Sequence, residues 1–344
     1  MSIFRPGPRN LITDVEGLLV GNAQDPQART GVTAILCDDH WRAAVDVRGG
    51  GPGVRETETL GAENLMGRAH AVVLSGGSVF GLAAADAVCW TLSGRGVGVR
   101  IRDGSPPVPI VPAAVLFDLV NGGCKDWGGE PPYRALGVSA LEAADCAFRL
   151  GRAGAGFGAQ AGRGAGGLGS ASLDLGDGLI VGALVAVNPV GSVFMPDGRT
   201  FWAWPFEIAG EFGGRRPSGE MSAIDPLPDL GRLVDAGRMT AGAATTIGCV
   251  ATSADLSTAE AKRVAMMAQD GLARAVRPAH TPFDGDTLFA LASGKVSLGS
   301  GDTRSNRLAA LGSAAADCVA RAIARGVYEA LRSEAGGPGG GFDG

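Results

Sequence analysis

The chain has 344 residues, 45% of them hydrophobic and 19% charged, and a formal net charge of -5. Its 57 glycines and 19 prolines fall short of the ~25–30% combined share that marks low-complexity chains, so a packed core is expected and a mainly disordered chain is excluded. There is no basic patch suited to nucleic acid and no apolar run near the ~20 residues that a bilayer requires, so neither is an expected partner.

In chain order, residues 32–37 and 41–47 read as two strands joined at Asp38-Asp39-His40, a hairpin signal. Residues 48–53 (RGGGPG) form a loop. Residues 71–74 make a short apolar strand, and Ser75-Gly76-Gly77 turns into an alanine-rich helix over 78–92. The proline-punctuated stretch 103–112 is extended, and 114–120 opens as a helix. A further helix is expected over 139–150, with Ser139 and Glu142 as its capping box. The run 151–170 is mostly Gly and Ala but includes Phe157 and Leu168, which a flexible linker would lack, so backbone packed closely on a neighbour is expected. A long strand follows over 179–187. Asp197-Gly198 should turn into a strand over 200–204. Residues 209–243, polar with scattered Gly and Pro, read as an exposed mobile segment. Residues 245–252 form a strand, and Ser257 and Glu260 cap a helix reaching 276. Residues 288–292 form another strand. The last helix, 307–331, carries apolar residues at spacings of three or four, and the tail 335–344 should be disordered. Strands and helices in similar number indicate one layered α/β or α+β domain spanning 1–344.

Chemistry has few places to reside. The six cysteines and three histidines are scattered without metal-ligand spacing, so reduced thiols are expected, with no metal and no cofactor. The N-terminus lacks the apolar core of a secretory signal, which makes the cytoplasm the default location. Gly76 and Gly77 lie between a strand and a helix, where backbone N–H groups can hold an oxyanion or simply make a tight turn. Asp284-Gly285-Asp286 places two carboxylates around a glycine, which suits a turn, a metal or acid/base work. Thr245 and Thr246 open a strand, which β-propensity alone explains. A threonine freed at its amine by peptide cleavage would instead carry both hydroxyl and base, a chemistry that needs no histidine.

A resemblance sharpens these options. The ordered segments NLITDVEGLLVGNA, AAVDVRGGGPGVRETE, VVLSGGSVFGLAAADAV, VPIVPAAVLFDLVNGG, KDWG, GGLGSASL, VGALVAVNPVG, ATTIGCVAT and HTPFDGDTLFA run from Asn10 to about Leu291. Together they resemble the self-cleaving N-terminal-nucleophile peptidases that include D-aminopeptidases, β-peptidyl aminopeptidases and nylon-oligomer hydrolases. The resemblance implies a four-layer αββα sandwich with the D-aminopeptidase/ornithine acetyltransferase connectivity. It implies a precursor that cuts itself before the nucleophile, leaving an α chain (1–244), a β chain (245–344) and a homotetramer of such units.

Carried over by motif, Thr245 is the nucleophile and Ala244–Thr245 the self-cleaved bond. Asn188 helps bind the oxyanion, with Asp284 and Asp286 beside the nucleophile orienting and tuning the new amine. Gly76, Gly77, Phe117, Arg163 and Thr246 are secondary candidates for oxyanion or substrate contacts. Some members of the family have Tyr where Phe117 stands, many have Lys near the Gly-rich run that holds Arg163, and the residue before the nucleophile is often Asn or Gly, not Ala. The implied activity is hydrolysis of small peptides, β-peptides or nylon-type oligoamides through an acyl-enzyme. An acyl transferase on the related ornithine acetyltransferase fold and an unprocessed binding protein are the competing readings.

Overall fold

The computed structural model describes residues 4–218 and 244–335. The strands are β1 (Leu18–Asp25), β2 (Thr30–Val47), β3 (Gly53–Arg55), β4 (Arg68–Ser75), β5 (Ala113–Val115), β6 (Gln160–Ala161), β7 (Gly164–Ala165), β8 (Gly167–Asp174), β9 (Ile180–Val187), β10 (Ile247–Ala254) and β11 (Thr287–Val296). The α-helices are α1 (Ala83–Gly94), α2 (Tyr133–Glu142), α3 (Thr258–Ala268), α4 (Asp270–Ala275) and α5 (Gly301–Ala335).

Among the described residues one sheet runs β3-β5-β4-β2-β11-β10-β9-β8, with β1 paired to the first half of β2. Three apolar cores divide it into layers. Val32, Ala34, Ala71 and Val73 face α1 and α2. Ile35, Val72 and Leu74 face Leu184, Ile247 and Phe289 across a middle core. Ala183, Val250 and Leu288 face α3, α4 and α5. The order is thus helices, sheet, sheet, helices, the expected αββα sandwich, but its two sheets are continuous.

β2 makes them so. It is one strand of 18 residues, not the hairpin expected at Asp38-Asp39-His40. Between the pairs Leu36↔Ala71 and Trp41↔Ala69, residues 37–40 of β2 lie opposite the single residue His70. Such a bulge bends a strand and increases its twist. Asp38 braces it by accepting from Trp41 Nε1 at 2.7 Å. The first half of β2 pairs with β1 and the second with β11, so the strand passes from one layer to the other.

Two other expectations are corrected. Residues 113–115 form strand β5, parallel to β4, where a helix start was expected. Helix α2 begins at Tyr133 after Pro131-Pro132, and Ser139 lies inside it and not at its cap. Its buried residues Tyr133, Gly137, Ala140 and Leu141 recur at helical spacing, which decides the element over the local capping pattern. Asp197 does make its turn, accepting from Arg199 N and Thr200 N, but 200–204 contributes one bridge, Phe194↔Phe201, and no strand. The capping box at Ser257 and Glu260 is present, and the helix after it is interrupted at Gln269, whose side chain donates to Asp46 O.

The Gly-rich run is packed tightly, as expected. A Cβ on Gly169 would stand 1.8 Å from Ala322 O, and one on Gly167 would stand 2.3 Å from Gly326 O. Small residues on both sides let α5 lie directly on β8. One buried charge fixes the same contact. Arg321 is fully buried and donates to Glu211 Oε1 (2.6 Å), Glu211 Oε2 (3.0 Å), Ser172 O (2.9 Å) and Asn10 Oδ1 (2.9 Å). Glu211 and the buried Phe212 therefore anchor the first part of the segment expected to be exposed. Residues 219–243 and 336–344 lie outside the described residues.

A Gly169→Ala variant should lose ~1–3 kcal/mol or more through overpacking, whereas Gly94→Ala, with nothing within 4 Å of its new Cβ, should be neutral or gain up to ~1 kcal/mol. Urea midpoints of the two variants against the parent check this, and equal midpoints would contradict the packing described.

Candidate active site

Four adjacent strands bring the site together. β10 and β11 are parallel with Ile247 opposite Thr287, and Ala244 forms a parallel bridge with Asp284. β9 runs antiparallel to β10 with Ala186 opposite Ile247, so Asn188 arrives beside Thr245. β2 ends at Val47 opposite Thr287, and the Arg48–Gly53 loop continues over the same end. The start of β10, the start of β11, the end of β9 and the end of β2 thus meet at one edge of the sandwich.

Thr245 is 2% exposed. Its N–H donates to Asn188 O at 2.7 Å. Its Oγ1 donates to Ala244 O at 2.5 Å, so the hydroxyl lies against the carbonyl of the peptide bond that precedes it. Ala244 O also accepts from Gly285 N at 3.0 Å. A Cβ on Gly285 would stand 2.8 Å from Thr245 Oγ1 and 2.8 Å from Gly51 O, so only glycine fits there unchanged.

The two aspartates are buried and engaged. Asp284 Oδ1 accepts from Val190 N (3.1 Å), and its Oδ2 accepts from Thr281 N (2.9 Å) and Thr281 Oγ1 (2.6 Å). Asp286 Oδ1 accepts from Thr246 N (2.8 Å), while Oδ2 meets His280 N (3.0 Å) and His280 Nδ1 (2.9 Å). His280 holds a left-handed backbone, φ 58°, at a cost of ~1–2 kcal/mol. Its double contact with Asp286 offsets that cost. In the uncut chain Thr245 N donates to the Asn188 carbonyl, and the Asp286 carboxylate accepts from Thr246 N. Burial, and next the charge of Asp286, push the Asp284 carboxyl up to about 6.

The other candidates are distributed around this centre. The Asn188 side chain accepts from Gln160 N (3.0 Å) and donates to Phe117 O (3.1 Å), so Phe117 meets the site through its carbonyl. Arg163 sits on the exposed tip between β6 and β7, and the neighbouring Gly162 faces Gly191 and Ser192. Thr246 is fully buried; its Oγ1 has no hydrogen-bond partner. Gly76 N donates to Gly31 O and Gly77 N to Asp118 Oδ1, both within 2.9 Å, so these two donors already have acceptors inside the protein. Among the described residues no three His, Cys, Asp or Glu side chains converge on a metal position.

Several residues around the site carried no singled-out signal in the sequence. Asp118 is 2% exposed, and burial raises its pKa above the usual carboxylate range. Beside it Lys125 donates to Asn121 Oδ1 at 3.0 Å, its own pKa lowered by burial. His280 and the Gly51-Pro52 pair against Gly285 were likewise not singled out. The only sequence sign was their position inside matched segments, since a buried polar contact leaves no periodicity.

This architecture is that of the N-terminal-nucleophile aminopeptidases. It superposes on a Burkholderia sp. beta-aminopeptidase with a TM-score of 0.65 at 23% identity, covering 95% of this chain and 88% of the other. It superposes equally, at 22% identity, on the L-aminopeptidase D-Ala-esterase/amidase of Ochrobactrum anthropi, described as a new variant of the Ntn hydrolase fold, covering 97% and 88%. The peptidase family S58 model matches residues 10–337, and the chain belongs to that family. It is a hydrolase of peptide or amide bonds. An uncharacterized aminopeptidase of Mycobacterium tuberculosis is 43% identical over 93% of this chain and 94% of its own. A 6-aminohexanoate-oligomer endohydrolase of Kocuria sp. is 30% identical over 85% of this chain and 77% of its own.

Asp284 should titrate near pH 6 by carboxyl 13C NMR, and Asp286→Asn should lower its midpoint while burial keeps it above the ordinary value of about 4. Because the folded pKa is raised, the stability this group lends is present in full below about pH 4 and is lost as pH rises through about 6. An unmoved midpoint in the variant would show that Asp286 carries no charge there.

Proposed function

We propose that this chain is a self-processing amide-bond hydrolase of short peptides and linear oligoamides, with Thr245 as its nucleophile. The observation that carries the reading is the position of Thr245 Oγ1, 2.5 Å from the carbonyl oxygen of Ala244. In self-cleavage Oγ1 attacks the Ala244 carbonyl carbon, the C–N bond breaks, and the hydroxyl proton ends on the Thr245 nitrogen. Water then hydrolyses the resulting ester, giving an Ala244 carboxylate and a free threonine. The products are an α chain of 1–244 and a β chain of 245–344.

The freed amine has a reference pKa near ~8 and serves as base for its own hydroxyl. Oγ1 then attacks a substrate amide, the proton passes through the amine to the leaving nitrogen, and water hydrolyses the acyl ester. Asn188 is read as a side-chain donor to the oxyanion, supported by its place beside Thr245. Asp284 holds Val190, and with it the Asn188-Pro189 turn; Asp286 holds Thr246. The 6-aminohexanoate-oligomer and aminopeptidase relatives support the substrate class. The mature unit is read as a homotetramer. Exposed apolar side chains at Val79, Phe80 and Trp90 support an oligomer, and the number four rests on the family resemblance.

Purified protein should run as two chains, the smaller beginning at Thr245 by mass spectrometry, and release products from amino-acid amides, β-dipeptides or 6-aminohexanoate oligomers. Thr245→Ala should remain one chain without activity, and Thr245→Ser should still cut. Hydrolysis by Thr245→Ala at the parent rate would refute the nucleophile.

A further inference from the structure

The reading above gives the oxyanion one donor, the Asn188 side chain, and the Gly76-Gly77 turn adds none, since both of its N–H groups are taken. One other amide stands at the reacting atoms. Gly285 N donates to Ala244 O at 3.0 Å, on the very carbonyl that Thr245 Oγ1 touches. The Cα of Gly285 faces Thr245 Oγ1 so closely that a Cβ would stand 2.8 Å from it.

We propose that the Gly285 N–H is a catalytic oxyanion donor used twice, first on the Ala244 carbonyl in self-cleavage and then on the scissile carbonyl of substrate. The inference rests on Thr245 being the nucleophile and names a group that acts with it. During self-cleavage the Ala244 oxygen gains negative charge as Oγ1 adds to the carbonyl carbon, and the Gly285 N–H is already bonded to it. Preorganisation of this kind lowers a barrier because nothing must turn at the moment of reaction. When the Ala244–Thr245 bond is cut and the new chain end moves off, that N–H loses its acceptor. A buried backbone donor left without a partner is costly. A substrate carbonyl brought to Oγ1 restores the bond. Cleavage thus both frees the amine and uncovers the donor.

Neighbouring groups agree with this assignment. The carboxylates on either side of Gly285 are bound elsewhere, Asp284 to Val190 and Thr281, Asp286 to Thr246 and His280. Their charge would oppose an oxyanion, so a direct donor is needed where it forms. Gly51 N donates to Asp284 O at 2.8 Å and Gly49 stands against Asp286 N. The Arg48–Gly53 loop therefore fixes the peptide whose N–H is in question.

The test follows the 15N-glycine amide of Gly285 in three states. They are uncut Thr245→Ala, the mature parent, and the mature parent with [1-13C]alaninal or [1-13C]6-aminohexanal bound. The amide should be protected from exchange in the uncut chain, at least tenfold less protected after cleavage, and protected again with a downfield proton shift in the adduct. A crystal structure of the adduct should put the former aldehyde oxygen within about 3.1 Å of Gly285 N. A tetrahedral 13C signal joined to Thr245 with that oxygen turned away from Gly285 would overturn this inference and leave the nucleophile standing. Equal protection of Gly285 in cut and uncut chains would overturn it as well. A parent that never cuts, or an aldehyde carbon joined to another residue, would instead overturn the nucleophile and the donor role with it.

Discussion

The register between β10 and its two neighbours is the constraint on which the site depends. Thr245 and Asp284 are far apart in sequence, and Asn188 is farther from Asp284 still. Parallel pairing of β10 with β11 and antiparallel pairing with β9 bring all three to one strand end. Side chains alternate along a strand, so a slip of one residue would turn each of these groups to the opposite face. The packing on both faces prevents it. Ile247, Cys249 and Ala251 of β10 point into the middle core, and Val250 and Ala254 point at the helices. The geometry of the candidate site is thus set by which face each apolar residue must occupy.

That constraint extends outward through small residues. α5 covers the sheet from β8, and the glycines of the 151–170 run let its backbone approach where any side chain would collide. Arg321 then ties the helix to β8, to the N-terminal loop at Asn10 and to Glu211. A buried ion pair of this kind adds little net stability by itself, because desolvation opposes the attraction, but losing one partner is costly. Arg321 lies in the proposed β chain and its partners lie in the proposed α chain. Cutting before Thr245 would therefore leave two chains held by an intact core and an intact charge network.

The strands that run through a core were readable from their apolar and β-branched residues: the runs expected over 179–187, 245–252 and 288–292 fall on β9, β10 and β11. The capping box at Ser257 was readable as local chemistry. The errors share a cause. Asp38-Asp39-His40 has turn composition, yet β2 continues through it because pairing on both sides outweighs local preference. Residues 113–115 are too short to distinguish helix from strand by period, and β4 and β3 decide for strand. At the site, Thr245, Asn188, Asp284 and Asp286 came from motif resemblance, and the structure brings them to one strand end. Neither composition nor spacing would have joined Thr245 to an aspartate so distant in sequence, nor shown that Gly285 lies against Thr245 Oγ1 and donates to Ala244 O.

The partner of Thr245 N bears on how such a site works near neutral pH. A carboxylate accepting from the future amine would favour its charged form and raise its pKa. A protonated amine cannot take the hydroxyl proton. The structure instead gives Thr245 N a neutral acceptor, the carbonyl of Asn188, and sends the Asp286 carboxylate to Thr246. On the proposed reading, the freed amine would start from a position facing a neutral carbonyl and not a full charge. Asp284 braces Val190, two residues beyond Asn188, and Asp286 braces Thr246. The raised pKa of Asp284 reflects its burial first and the charge of the second brace, Asp286, next.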